Sequence, residues 1–135
     1  QTVLVLSASA GVGVAAIQVA KDVIGANVIA TTSSSEKAAK ATELGADVVI
    51  NYNEEDIRER VREITGRAGV DCVVDHVGAD FFGAAFASLR NGGRYGICGA
   101  TTGLRTELHL GLLFSQRKEI YGVFMGTKED MREIV

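Results

Sequence analysis

Small residues fill positions 7–13, which read Ser-Ala-Ser-Ala-Gly-Val-Gly between an apolar run, Val3–Leu6, and a run with helical spacing. The first backbone N–H groups of a helix have no intrahelical partners, so such a turn can bind an anion, for example the pyrophosphate of a dinucleotide. Compared with the G-x-G-x-x-G fingerprint, Ala8 and Ala10 stand at the first two glycine positions and Gly13 at the third. A tight strand-to-helix turn without a ligand is the alternative.

The residues after the second predicted strand bear on which dinucleotide would bind. NAD-specific domains usually carry Asp or Glu there to hold the adenosine 2′-hydroxyl, but this sequence has Thr32. Without a carboxylate, a 2′-phosphate can be accepted by the hydroxyls of Ser33–Ser35 and by the ammonium of Lys37, which favours NADP over NAD. Two alternatives stay open: the serines only cap a helix on which Lys37 is solvated, or Glu36 reaches a ribose hydroxyl of NAD.

Residues after the third and fourth predicted strands can also contact a ligand, because ligands of doubly wound sheets lie across the carboxyl ends of the strands. Tyr52 can stack on adenine or bind a 2′-phosphate, or else be an ordinary half-buried aromatic. The backbone of Asp75-His76-Val77-Gly78 would border the adenosine and the nicotinamide-side ribose, and His76 can bind a hydroxyl. A lone histidine is more often structural, and no Ser or Asp arrangement makes His76 a general base.

Two later loops complete the predicted site. In Gly99–Gly103 the glycines permit close backbone approach, and the hydroxyls of Thr101 and its neighbour suit the nicotinamide ribose and phosphates; a plain connector is the alternative. In Phe124-Met125-Gly126, backbone groups can meet the nicotinamide carboxamide, unless this is an edge strand that simply ends.

The composition argues against several other classes of protein. A net charge of −3 with scattered Lys and Arg is not typical of nucleic-acid binding, which needs a clustered positive surface. Cys72 and Cys98 lack CxxC spacing, and His76 near Cys98 would give two soft ligands without a third, too few for zinc. No apolar run has the length of a membrane span, and the first residues given lack the basic and cleavable regions of a signal peptide, so we expect a cytoplasmic protein with no membrane partner.

The elements that must position these residues alternate between strand and helix. We expect a single α/β domain over residues 1–135, with a doubly wound, six-stranded parallel sheet of the Rossmann kind in the order 3-2-1-4-5-6. The predicted strands are Val3–Leu6, Asn27–Thr31, Val48–Ile50, Val70–Val74, Arg94–Cys98 and Glu119–Phe124. The predicted helices are Val14–Ile24, Glu36–Leu44, one from Asn53 or Glu54 to Gly66, Asp80–Leu89, Leu108–Ser115 and one that starts at Thr127.

Seven stretches in order, SASAGVG, AAIQVAK, SSSEKAAKATELGA, VINYNEED, VDCVVDHVG, LRNGGRYGICGATTG and EIYGVFMGT, resemble the cofactor-binding domain of the medium-chain dehydrogenase/reductase superfamily. The turn is similar to those of its quinone oxidoreductase, enoyl reductase and zinc-type alcohol dehydrogenase branches. The resemblance implies NADP(H) contacts at Gly11, Val12, Ser33, Lys37, Tyr52, His76, Gly99, Ala100, Thr101, Phe124 and Met125.

The resemblance also implies an activity and partners. We expect a domain cut from a longer oxidoreductase that transfers a hydride to or from an alcohol, quinone or enone/enoyl substrate, with the small-molecule substrate and any zinc bound outside this segment. Relatives often dimerise through their sixth strands, so a homodimer is expected. A non-catalytic nucleotide-sensing or structural module is the alternative. A methyltransferase that uses S-adenosylmethionine is disfavoured, because no acidic residue closes the second strand.

Overall fold

The computed structural model describes residues 1–8, 11–124 and 132. Its strands are β1 (Thr2–Val5), β2 (Asn27–Thr32), β3 (Val48–Asn51), β4 (Val70–Asp75), β5 (Leu89–Ile97) and β6 (Glu119–Gly122). Its helices are α1 (Gly11–Gln18), α2 (Ser35–Leu44), α3 (Ile57–Ile64), α4 (Ala79–Ala87) and α5 (Leu110–Ser115). The six strands form one parallel sheet in the order β3-β2-β1-β4-β5-β6, which confirms the predicted α/β architecture.

Both faces of the sheet are covered, since alternate residues of the central strands pack into two separate clusters. Leu4 and Ile29 pack with residues of α3 and α4, whereas Val5 and Ala30 pack with residues of α1 and α2. This two-sided burial explains why the strands are apolar throughout instead of alternating with polar residues. The predicted bounds of β1 to β4 lie within one residue of those observed.

Side-chain caps determine where helices α2 and α3 begin. The Ser34 hydroxyl accepts a hydrogen bond from Lys37 N–H at 3.3 Å at the start of α2. At α3, the Asp56 carboxylate accepts from Glu59 N–H at 2.9 Å, so this helix begins at Ile57 and not at Asn53 or Glu54 as predicted. Residues 52–55 form a turn instead. Because Asp56 is a strong N-cap, the acidic residues before it lie outside the helix.

The prediction for β5 was wrong at its start. Helix α4 ends at Ala87 and not at Leu89, and β5 begins at Leu89, whereas the sequence predicted a turn at Asn91–Gly93 and a strand from Arg94. The physical reason is a bulge: Val70 of β4 pairs with Leu89, and the next paired residue, Cys72, is opposite Arg94. The glycines therefore bend the strand without ending it.

Smaller differences concern α1, α5 and β6. Helix α1 starts at Gly11, earlier than the predicted Val14, and continues as a π-helical turn over Val19–Ile24. Helix α5 starts at Leu110, because His109 Nδ1 accepts from Leu112 N–H at 3.0 Å. Strand β6 ends at Gly122 and not at Phe124, and the helix predicted from Thr127 lies outside the described residues. Among the described residues, no helix combines the length and apolarity needed to cross a bilayer.

Candidate functional site

The turn between β1 and α1 depends on a glycine. A Cβ atom at Gly13 would lie 2.1 Å from the carbonyl oxygen of Ser7, so only glycine lets the helix pack this closely on the strand end. Thr31 of β2 holds the turn from the side: its Oγ1 accepts from Ser7 N–H at 3.0 Å, and its carbonyl accepts from Ala8 N–H at 2.8 Å. Close helix–strand packing of this kind is the role of the third glycine in the fingerprint, the position at which Gly13 stands.

The first residues of α1 face open space. Gly11 and Val12 are exposed, and a Cβ atom at Gly11 would meet nothing within 4 Å. The N–H groups of this first turn have no partner within the helix, so the surface at the carboxyl end of β1 can accept an anion. Ala10, which was predicted for the same contact, lies outside the described residues.

The loop after β4 is held by the buried carboxylate of Asp75, to whose side chain the sequence analysis gave no role. Asp75 is fully buried; its Oδ1 accepts from the N–H groups of Val77 at 2.8 Å and Gly78 at 2.9 Å. Its Oδ2 accepts from the Tyr95 hydroxyl at 2.6 Å. Burial, and then the hydrogen bond to Asp75, raise the pKa of Tyr95 far above its usual range. An aspartate at the end of an apolar strand run is the signal that could have indicated this role.

His76 is 8% exposed, and its Nε2 lies 3.3 Å from the Ser7 carbonyl oxygen. Because a carbonyl only accepts, Nε2 carries the hydrogen in this contact, and Nδ1 is the atom left to accept from a ligand hydroxyl. The backbone of His76 is in close contact with the next loop, since a Cβ at Gly99 would lie 2.8 Å from the His76 carbonyl oxygen. His76 therefore joins β1, β4 and the loop after β5.

A cavity of about 220 Å³ lies at the carboxyl ends of the strands. Its aromatic wall is Tyr52 against Phe81, in an edge-to-face arrangement with 4.9 Å between ring centroids. It brings together Tyr52, Val77 and Thr101 with one residue of the predicted anion-binding turn, Ser7, and a second threonine of the predicted loop, Thr102. Thr31 and Phe81, which also line it, were not predicted to belong to the site. Phe81 was not predicted to line the site, because aromatic residues at helical spacing are usually core residues.

A second cavity, of about 300 Å³, lies between α1 and α2 and is lined by Ala8, Val14, Glu36, Lys37, Lys40, Ala41 and Leu44. It places Lys37 and Glu36, the two residues that bear on the choice of dinucleotide, beside the turn after β1. Thr32 is 2% exposed, and its Oγ1 has no hydrogen-bond partner in the described part of the chain. Ser33, which is half-buried, is the first residue after β2 with more than a few per cent of its surface accessible.

The remaining predicted residues lie at the same end of the sheet or outside the described part. Ala100 follows β5, and a Cβ at Gly78 would lie 2.9 Å from the Ala100 Cα. Phe124 is 85% exposed, and Met125 lies outside the described residues.

A cleft of about 500 Å³ lies at the opposite, amino ends of the strands. Three of the residues that line it are in ion pairs: Asp47 with Lys21 at 2.7 Å, and Asp71 with Arg90, which also lines the cleft. Ligands of parallel α/β sheets bind at the carboxyl ends, so the cavities near Tyr52 and Lys37 are the better candidates.

Comparison with known proteins agrees with this geometry. A family model described as zinc-binding dehydrogenase matches residues 11–135. The chain belongs to this family, within the medium-chain dehydrogenase/reductase superfamily, whose members include NAD(P)-dependent oxidoreductases. The family supports a nicotinamide dinucleotide as the cofactor and confirms the resemblance inferred from the motifs.

The quinone oxidoreductase of Salmonella typhimurium is 39% identical over 133 residues, which cover 94% of this chain and 40% of that protein. The crystal structure of Escherichia coli quinone oxidoreductase complexed with NADPH superposes with a TM-score of 0.86 at 34% identity, covering 99% of this chain and 42% of that one. A crystal structure of an NAD-dependent alcohol dehydrogenase gives a TM-score of 0.91 at 43% identity, covering 98% of this chain and 38% of that one. The chain thus spans about two fifths of the length of the curated relatives it matches.

The name of the family refers to zinc, but the described residues do not fit a zinc site. In residues 1–8 and 11–124, no three of His, Cys, Asp and Glu come together as metal ligands. We therefore assign no metal chemistry to this part of the chain.

Proposed function

We propose that this chain binds NADP(H) along the carboxyl ends of its strands, as the cofactor-binding part of an oxidoreductase acting on an alcohol, quinone or enone. The observation that carries the proposal is the cavity between α1 and α2: Lys37 lines it together with Ala8, within the turn predicted to bind the pyrophosphate, and Val14, which follows that turn. A cation at that position suits a phosphate on the adenosine ribose. The similar quinone oxidoreductase with NADPH supports the same cofactor.

Each part of the dinucleotide then has a site in this chain. The N–H groups of Gly11 and Val12 would bind the pyrophosphate, and Ser33 and Lys37 the 2′-phosphate. The Tyr52–Phe81 wall, with Val77, offers a flat apolar surface for adenine. His76 and the loop Gly99–Thr101 would border the nicotinamide ribose, and Phe124 and Met125 the carboxamide. When bound, the nicotinamide supplies or accepts the hydride, while the protein provides position and electrostatics.

NAD(H) is the second candidate, and two observations favour it. Glu36 lines the same cavity as Lys37, so a carboxylate is available for ribose hydroxyls. The alcohol dehydrogenase structure that is 43% identical is described as NAD-dependent. Whether NADP(H) or NAD(H) binds depends on whether Lys37 or Glu36 contacts the adenosine ribose.

A homodimer that pairs β6 with β6 of a second copy is part of the proposal. Strand β6 lies at the edge of the sheet, and Tyr121, Val123 and Phe124 on or beyond it are 48%, 55% and 85% exposed. An exposed apolar edge strand is a surface that proteins usually cover. Sedimentation of the protein should therefore give twice the monomer mass, and a monomer at micromolar concentration would refute this part.

Direct titration tests the cofactor. NADPH and NADH are added separately, and the dissociation constants come from calorimetry and from the change in nicotinamide fluorescence. The proposal expects tighter binding of NADPH than of NADH. Tighter binding of NADH would favour the second candidate, and no signal from either dinucleotide at millimolar concentration would refute both.

A further inference from the structure

The start of α4 has no side-chain cap from its own segment, because its N-cap residue is Gly78. Thr102, in the loop after β5, provides the side-chain cap instead. Its Oγ1 accepts a hydrogen bond from Asp80 N–H at 3.1 Å, and the same hydroxyl donates to the Val77 carbonyl at 2.6 Å. A hydroxyl that accepts from the second N–H of a helix is the geometry of an N-cap.

Backbone contacts around Thr102 show how closely the two loops fit. Thr102 N–H donates to the Val77 carbonyl at 2.8 Å, and Ala79 N–H donates to the Gly103 carbonyl at 3.3 Å. A Cβ at Gly78 would lie 2.8 Å from the Gly103 carbonyl oxygen, and one at Gly103 would lie 2.9 Å from the Ala79 Cβ. Little space separates the loop from the helix start, so a small displacement of one must move the other.

Both segments that Thr102 joins form walls of the 220 Å³ cavity. Helix α4 contributes Phe81, which contacts Tyr52, and the loop contributes Thr101 and Thr102 itself. The other end of α4 is held separately, since Lys118 Nζ donates to the Phe86 carbonyl at 2.7 Å. Loss of the Thr102 hydroxyl would therefore loosen the amino end of α4 without releasing the whole helix.

We propose that Thr102 is a positioning residue of the dinucleotide site, whose hydroxyl holds the loop Gly99–Gly103 and the start of α4 in the geometry that cofactor binding requires. This inference rests on the proposed function. It assigns no contact between Thr102 and the reacting atoms; the hydroxyl acts through Val77, Phe81 and Thr101.

The test compares three variants of the protein. Thr102→Val keeps the shape of the side chain but lacks the hydroxyl, and Thr102→Ser restores the hydroxyl. Thr65→Val is the matched control, because the Thr65 hydroxyl also donates to a carbonyl, that of Val61 at 2.7 Å, and accepts from an N–H, that of Gly69 at 3.0 Å. Thr65 and Gly69 line the cleft at the opposite end of the sheet, away from the site.

NADPH affinity is measured by calorimetry at a temperature at which circular dichroism shows each variant folded. Since two hydrogen bonds are lost, Thr102→Val should weaken NADPH binding about tenfold. Thr102→Ser and Thr65→Val should stay within about twofold of the wild type. If Thr102→Val does not fold, Thr102→Ala replaces it. Hydrogen exchange of the Asp80 amide is the second readout, and it should be faster in Thr102→Val than in Thr102→Ser.

The outcomes separate this inference from the proposed function. If the wild type binds NADPH and Thr102→Val binds it equally well, the inference fails and the proposed function stands. An equal loss in Thr65→Val would mean that affinity follows overall stability, which also overturns the inference. If the wild type binds neither NADPH nor NADH, both fail together.

Discussion

The Tyr95 hydroxyl donates a 2.6 Å hydrogen bond to Oδ2 of Asp75, and the two residues join β5 to β4 directly beneath the candidate site. Both are fully buried. Because the other carboxylate oxygen of Asp75 accepts from Val77 and Gly78, the position of this loop depends on a phenol 20 residues further along the chain. Buried polar groups that are fully hydrogen-bonded specify one arrangement of the surrounding backbone.

The first prediction concerns the loss of this hydrogen bond. Tyr95→Phe keeps the aromatic ring but leaves Oδ2 of Asp75 buried with one partner fewer, so the free energy of unfolding should fall by about 1–3 kcal/mol. Urea unfolding at pH 7 measures the change. Tyr52→Phe, measured without cofactor, is the matched control: phenylalanine keeps the ring that contacts Phe81, and within the described residues the Tyr52 hydroxyl forms no hydrogen bond, so its effect should be below about 0.5 kcal/mol. Similar values for the two variants would contradict a structural role for the Tyr95 hydroxyl.

The second prediction follows from the pKa of Tyr95, which burial and then the hydrogen bond to Asp75 raise well above its ordinary value. An unfolded tyrosine ionises near pH 10. Above that pH the folded chain holds a proton that the unfolded chain releases, so the stabilising contribution of Tyr95 is complete below about pH 10 and is lost as the pH rises further.

The slope of this loss should approach about 1.4 kcal/mol per pH unit for one proton. Unfolding free energies of the wild type and of Tyr95→Phe are compared from about pH 8 to about pH 11.5, a range that includes the ordinary tyrosine pKa of about 10. Subtracting the two free energies at each pH removes the contribution of Lys118, which both proteins share. Burial lowers the pKa of Lys118, so its contribution to the unfolding free energy changes with pH in the opposite direction to that of Tyr95. If the difference stays constant with pH, Tyr95 ionises alike in the folded and unfolded chains, and the prediction is wrong.

The third prediction concerns Gly13. In Gly13→Ala the new Cβ would lie 2.1 Å from the Ser7 carbonyl oxygen, so α1 must move away from the end of β1. We expect a loss of about 1–3 kcal/mol in unfolding free energy and a loss of dinucleotide binding at the displaced helix end. Gly83→Ala is the control: its Cβ would meet nothing within 4 Å on α4, and it should stabilise the protein by about 0.5–1 kcal/mol. Unchanged affinity in Gly13→Ala would show that the helix end does not hold the pyrophosphate.

The sequence predicts those parts of the fold that local patterns determine. Runs of β-branched and apolar residues give β1 to β4 within one residue, and Gly13 stands out because only a glycine fits at the third fingerprint position. The bulge in β5 was not predictable in this way. Asn91–Gly93 has the composition of a turn, and only the pairing of Leu89 with Val70 shows that the strand starts before it.

The interior of the site was harder to predict, because its contacts join residues that are far apart in the sequence. The role of Asp75 requires Tyr95 from a neighbouring strand, and the cap on α4 requires Thr102 from a later loop. Phe81 has the spacing of a core residue and belongs to the cavity wall only because Tyr52 packs against it. The sequence therefore predicted where the loops of the site follow the strands, but not which side chains from distant parts of the chain fix those loops in place.

The last prediction separates the two lysines of α2. Lys37 and Lys40 line the same cavity, one helical turn apart, and removal of either changes the net charge equally. Lys37 lies in the first turn of α2, where its N–H donates to the hydroxyl of Ser34 in the serine run after β2, so only Lys37→Ala should remove a partner of the 2′-phosphate. We expect Lys37→Ala to weaken NADPH binding about tenfold, because one charge-assisted hydrogen bond at a solvent-accessible position is lost, and to leave NADH binding unchanged.

Lys40→Ala is the control. It should weaken the binding of both dinucleotides equally and slightly, through the electrostatic potential of the surface alone, and this small effect should vanish at high salt. Calorimetric titration of each variant with both dinucleotides measures the ratio of affinities. A ratio that Lys37→Ala leaves unchanged would mean that the 2′-phosphate binds elsewhere or that the chain does not distinguish the two cofactors by charge.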